Sequence, residues 1–137
     1  MTLGILDWGI GGFFALRRAL QREPTLNVVY LSDSGQVPYG KQPEATLRVT
    51  VEHGCQRLRD HGATQVLVAC HSASTVLPPG CVGVIRPDLV PAGRTLVLGG
   101  QRTVESGRWC GPRTTQRVAQ ALSAHIEAGR GRGAEAL

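Results

Sequence analysis

Gln65-Val66-Leu67-Val68-Ala69-Cys70-His71-Ser72-Ala73-Ser74 is the stretch whose reading decides the fold. Four apolar residues in a row suit a strand buried on both faces, and the Ser/Ala/Ser segment after them can cap and begin a helix. Cys70 is thereby placed at the carboxyl end of a strand, where open α/β sheets bind their ligands. A thiol there faces the positive end of the next helix, which lowers its pKa and raises its thiolate fraction. Cys70 is the first candidate for a reactive residue. The competing reading is a small core hydrophobe.

Working back from this stretch, Leu47, Val51, Cys55 and Leu58 recur at helical spacing between Pro43 and His61, which predicts a helix with Cys55 in the core. His53 and His61 fall on or past its polar face and carry no expected chemistry, and Gly62 ends it. Before it, Asp33 to Gly40 is a loop rich in turn formers. Tyr39 offers a phenol and the loop backbone offers donors, either of which can fix a carboxylate. The alternative is a structural turn in which Pro38 and Gly40 set dihedrals. Asn27 to Ser32 reads as a strand. Leu3 to Asp7 is another, followed by the loop Trp8-Gly9-Ile10-Gly11-Gly12 and an amphipathic helix from Phe13 to Leu20. Backbone N–H groups at such a helix start favour a phosphate or carboxylate. The dinucleotide fingerprint is poorly matched, since Phe14 stands where its third glycine or alanine belongs, and no cofactor is expected. Asp7 ends its strand at the same sheet edge as Cys70. It reads either as a charged partner in catalysis or as a turn-forming cap.

Downstream, Pro78-Pro79-Gly80 cuts the helix after Cys70 to about a turn and a half. Val82 to Ile85 is a fourth strand and Arg94 to Leu98 a fifth, and Thr103 to Trp109 can begin a helix that Gly111-Pro112 interrupts. A last helix is expected from about Thr114 to Ala128, and 129–137 has the composition of a frayed tail. Strands alternating with helices imply an α/β fold: an open three-layer sandwich with a mostly parallel sheet of four or five strands flanked by helices.

Composition narrows the class. The 137 residues suffice for one core, and 42% hydrophobic and 18% charged residues with 18 glycines describe a globular α/β chain with tight turns. Four cysteines without C-x-x-C spacing, and a start without a leader pattern, point to reduced thiols in the cytoplasm. No apolar run reaches membrane-spanning length. The net charge of +5 is carried by scattered arginines with few aromatics to stack bases, so a small acidic ligand suits it and nucleic acid is not expected. The spacings of Cys55, Cys70, His71 and Cys81 show no metal-ligand pairs.

Leu3 to Asp7 with the Gly9-Ile10-Gly11-Gly12 loop, Val37-Pro38-Tyr39-Gly40, and Val68-Ala69-Cys70-His71-Ser72-Ala73-Ser74 together resemble the glutamate racemase branch of the aspartate/glutamate racemase family. Val82 to Pro87 and Leu98-Gly99-Gly100 with Thr103 to Gly107 extend the likeness to about residue 109. The resemblance implies cofactor-independent interconversion of L- and D-glutamate for cell-wall peptidoglycan synthesis. It makes Cys70 one of two opposed thiols and Asp7 its catalytic assistant, with Pro38, Tyr39, Gly40, His71 and Ser72 contacting the amino acid. Trp8 stands where the family has a substrate-touching serine, and its bulk either fills the pocket or lids it. His71 replaces an asparagine. The family's second lobe brings the opposite thiol in a Cys-Thr-His motif, which this sequence lacks; Cys81 and Cys110 are the leftover candidates. The implied organisation is a first racemase lobe over 1–93, a remnant of the second lobe with a terminal helix over 94–128, and the tail. Activity is then impaired, or restored by a homodimer pairing two Cys70 thiols. The other reading is a non-catalytic amino-acid-binding or regulatory relic.

Overall fold

In the computed structural model, residues 1–85, 95–108 and 114–118 are described. Thr2–Asp7 forms strand β1, and it is flanked on both sides by parallel partners. Asn27–Ser32 (β2) runs beside it from Thr2↔Asn27 to Asp7↔Ser32, and Gln65–Val68 (β3) from Leu3↔Gln65 to Leu6↔Val68. Cys81–Gly83 (β4) extends the sheet beyond β3, giving the order β2-β1-β3-β4. Parallel neighbours require crossovers. Phe13–Arg22 (α1) links β1 to β2, and Glu44–Asp60 (α2) links β2 to β3.

The register sorts side chains onto two faces. Leu6, Val29, Leu31, Val66, Val68 and Cys81 lie on the face that packs with Leu47, Val51, Cys55 and Leu58 of α2, all four buried as their spacing predicts. Ile5 and Tyr30 point to the opposite face, where α1 lies with the Phe13 ring centroid 5.1 Å from that of Tyr30. Helices on both faces of a parallel sheet make the expected three layers. Coverage by α1 is thin: none of its residues is fully buried, and Phe14 is 80% exposed.

The close approach of α2 to the sheet depends on glycine. A Cβ on Gly4 would stand 2.8 Å from Ala63 Cβ and 3.1 Å from Leu58 Cβ, and one on Gly54 3.0 Å from Leu6 Cδ1. Gly4→Val is therefore expected to force backbone apart and cost about 2 kcal/mol or more of stability. Urea unfolding checks this, and an unchanged midpoint would mean that the gap can open freely.

The structure corrects several expectations. The strand before Cys70 ends at Val68, and the expected turn and a half of helix is a four-residue 3₁₀ turn, Ala73–Val76. Ser74 explains the tightness: its hydroxyl donates to the Val68 carbonyl at 3.1 Å and accepts the Val84 N–H at 3.0 Å, drawing the turn in between β3 and the chain after β4. The fourth strand occupies Cys81–Gly83, one residue earlier than Val82 and shorter. The fifth, Thr95–Gly99 (β5), does not join this sheet; it pairs in parallel with Thr114–Val118 (β6) in a separate two-stranded sheet. The start of the expected last helix is thus a strand, as its β-branched Thr114, Thr115 and Val118 favour once a partner strand is available. The helix expected from Thr103 to Trp109 is Gln101–Glu105 (α3), beginning directly after Gly100. The chain divides into two units after Ile85. The expected boundary at 93, the rest of the last helix and the 129–137 tail lie outside the described residues.

Candidate functional site

Parallel neighbours end on the same side, so the carboxyl ends of β1 and β3 bring Asp7 and the Cys70 segment together. The Ala69 N–H donates to the Leu6 carbonyl at 2.7 Å, holding the chain against β1 one residue before Cys70. The Cys70 carbonyl accepts the Ser74 N–H at 2.9 Å, and backbone N–H groups of Ala73, Ser72 and Trp8 converge on the sulfur. Asp7 is 5% exposed, and its Oδ2 accepts the Gly12 N–H at 2.9 Å. The carboxylate thus caps the glycine turn, as one of the two readings of Asp7 requires, while its charge also acts on Cys70 and Tyr30.

The electrostatics reverse one expectation. Burial raises the Cys70 thiol above its ordinary value; the Ala73 N–H opposes this, the Asp7 charge adds to it, and the Ser72 and Trp8 N–H groups again oppose. The expected lowering required a full helix dipole, and four residues of 3₁₀ turn supply too few aligned peptides to outweigh desolvation. Cys70 is only partly buried, so the sulfur is not sealed in the core.

The remaining sequence candidates surround this pair unevenly. Trp8 packs partly against the core and donates its indole N–H to the Gln36 carbonyl at 2.9 Å. Tyr39 is 1% exposed, and its hydroxyl donates to Asp33 Oδ2 at 2.8 Å, so the phenol is engaged within the protein. Desolvation, then the Asp33 bond and the charges of Asp33, Cys70 and Cys55, push that phenol far up. The Pro38 carbonyl accepts the Lys41 N–H at 2.8 Å, closing the 3₁₀ turn Tyr39–Lys41. This turn meets the Cys70 turn: a Cβ on Gly40 would stand 3.2 Å from Ser72 Oγ. Ser72 is half-buried and His71 exposed. Cys81 opens β4 at the other end of the sheet, on the α2 face, and Cys110 lies outside the described residues.

Asp33, Gln42 and Ser74 are supporting residues that sequence reasoning missed. Asp33 follows β2 as Asp7 ends β1, a parallel legible in the strand endings; Gln42, whose Nε2 donates to the Val37 carbonyl at 2.7 Å, carries no such signal. Among the described residues no three His, Cys, Asp or Glu side chains are grouped to hold a metal ion, and no helix is long and apolar enough to cross a membrane.

Tyr39, Cys55 and Cys70 all hold their protons more tightly folded than unfolded. Their contribution is fully present below the ordinary thiol value of 9.0 and is lost as pH rises past it toward the folded values, because the unfolded chain then ionises first. The melting temperature is expected to hold from pH 7 to about 8.5 and fall steeply above about 9, measured by thermal scans across pH.

No family model matches the chain. The glutamate racemase of Aquifex aeolicus (strain VF5) is 32% identical over 123 residues, covering 80% of this chain and 48% of its own length. The structure of the glutamate racemase from Aquifex pyrophilus superimposes with a TM-score of 0.77 at 28% identity, covering 86% of this chain and 55% of that one. The chain is a homologue of the glutamate racemases. A third comparison agrees: the glutamate racemase from Thermus thermophilus, solved in complex with beta-chloro-D-alanine, matches with a TM-score of 0.78 at 26% identity over 93% of this chain and 55% of that one. This racemase homologue spans about half the length of the relatives it matches.

Proposed function

We propose that the site between β1 and β3 binds an acidic amino acid, glutamate first, and that Cys70 moves its α-proton on one face without a cofactor. The observation that carries this reading is the convergence of the Cys70 sulfur, three backbone N–H groups and the Asp7 carboxylate at adjacent strand ends. Removing an α-proton leaves negative charge on the substrate carboxylate, which preplaced backbone donors at such strand ends can stabilise. Cys70 in its thiolate form takes the proton and returns one from its thiol, with Asp7 assisting. Trp8, Pro38, Tyr39, Gly40, His71 and Ser72 form the surroundings of the substrate, with Tyr39 acting through the shape of its turn because its hydroxyl is spent on Asp33. The complex of the Thermus thermophilus racemase with beta-chloro-D-alanine supports an amino acid as the ligand, without bearing on its side-chain charge.

Inversion needs a second acid on the opposite face. Cys81 opens β4 at the opposite end of the sheet from Cys70, so one chain brings a single described thiol to this site. Exchange without inversion is the activity expected of one chain, and a homodimer that opposes two Cys70 thiols would restore racemisation. Peptidoglycan synthesis in the cytoplasm is the corresponding role. The experiment is incubation of the full chain with D- and with L-glutamate in deuterated water. Deuterium at the α-carbon of one enantiomer, with no inversion, is the expected result.

The second reading is a binding module, and the raised Cys70 thiol favours it, since little of the thiolate that must act as the base is present at neutral pH. Saturable glutamate binding with no exchange at any pH would establish this reading over the first. Absence of both would overturn the acidic amino-acid site itself.

A further inference from the structure

A pair of sulfurs lies away from this site. Cys55, on α2, is fully buried in the core cluster against which Cys81, the first residue of β4, packs, and each of the two thiols acts on the other's charge. Cys81 is half-buried and joins the same core cluster from the sheet side. Arg59 stands one helical turn after Cys55, on the same side of α2. Its Nη2 donates to Cys81 Sγ at 3.2 Å and to the Pro79 carbonyl at 3.3 Å, so the guanidinium is braced against one sulfur. Nothing in the proton transfer proposed above uses these three residues.

We infer that Cys55 and Cys81 form a peroxide-responsive thiol pair, in which Cys81 is oxidised first and Cys55 closes a disulfide. The order of the two steps rests on access and charge. Cys55 has no exposed surface, whereas Cys81 is partly open and has the Arg59 guanidinium against its sulfur, where it can hold charge that builds during attack on a peroxide. The Cys81 thiolate attacks one peroxide oxygen; the O–O bond breaks, sulfur is oxidised to the sulfenic acid, and the other oxygen leaves as water after taking a proton. The Cys55 sulfur then attacks the sulfenic sulfur; the S–S bond forms, the S–O bond breaks, and hydroxide leaves with the Cys55 proton as a second water. Two thiols and one hydroperoxide thus become one disulfide and two waters. The bond ties α2 to the point where the segment that starts at Cys70 returns to the sheet.

The test treats the full chain with equimolar hydrogen peroxide, blocks remaining thiols, and maps tryptic peptides. Cys55 lies in peptide 49–57, and Cys81 shares peptide 60–94 with Cys70. A Cys70→Ser variant makes the crosslink between these peptides unambiguous, and fragment spectra of the wild type separate the two cysteines if that variant fails to fold. Joined 49–57 and 60–94 through Cys81 is the expected product, formed about tenfold more slowly in Arg59→Met, the factor of one charge-assisted hydrogen bond. Cys81 driven to sulfinic acid with Cys55 unmodified, a crosslink from Cys81 to Cys110, or an equal rate in denaturant would each overturn the pairing.

Discussion

Cys70→Ser is expected to lower the solvent exchange of the glutamate α-proton by at least about a hundredfold, the usual scale for removing a positioned acid–base group. Serine keeps the size and accepts the same Ala73, Ser72 and Trp8 N–H donors, so fold and ligand affinity should persist while the basic atom is lost. The wild-type rate carries a second signature. With the thiol raised by burial, only a small thiolate fraction exists near neutrality, and that fraction grows tenfold per pH unit below the pKa. Exchange should climb accordingly from pH 6 to about 9, followed by deuterium incorporation in buffers of increasing pH. A flat profile, or exchange that persists in Cys70→Ser, removes Cys70 from the proton transfer.

Asp7→Asn should move two measurements in opposite directions. The carboxylate adds to the raised state of Cys70 through its charge, so neutralising it should increase the thiolate fraction and speed iodoacetamide alkylation of Cys70 roughly three- to tenfold. The amide oxygen can still accept the Gly12 N–H, which keeps the turn in place. If Asp7 assists proton transfer, exchange falls tenfold or more in the same variant even though its thiol is more reactive. If Asp7 is only the cap of the glycine turn, exchange rises with alkylation. Mass spectrometry of the alkylated Cys70 peptide and the exchange assay, run on one preparation, separate these roles.

What could be read from the sequence was whatever depends on neighbours along the chain. Leu47, Val51, Cys55 and Leu58 recur at the helical period, so the buried stripe of α2 was legible, and Asn27–Ser32 is bounded by turn formers and came out as a strand with those ends. Asp7 and Cys70 fell at one sheet edge because parallel strands linked by crossovers must end together. The failures depend on groups that meet only after folding. The direction of the Cys70 shift is set by how much solvent the packed chain excludes. The Tyr39 hydroxyl is claimed by Asp33, a pairing across the loop that no spacing rule predicts, although Asp33 itself stands out after its strand as Asp7 does. Thr114–Val118 is a strand because Thr95–Gly99 lies beside it, and helical periodicity in one segment says nothing of a partner.

The strand order has a consequence for biosynthesis. β1 leaves the ribosome before the other three strands of its sheet yet occupies an interior place in it. One flank is satisfied when β2 appears, but the other stays open until all of α2 has been translated and β3 emerges, on the order of seconds at ~5–20 residues per second. Throughout that interval the nascent polypeptide presents an unpaired hydrogen-bonding edge beside Ile5 and Leu6, and crowded polysomes are where this protein is most exposed to misassembly.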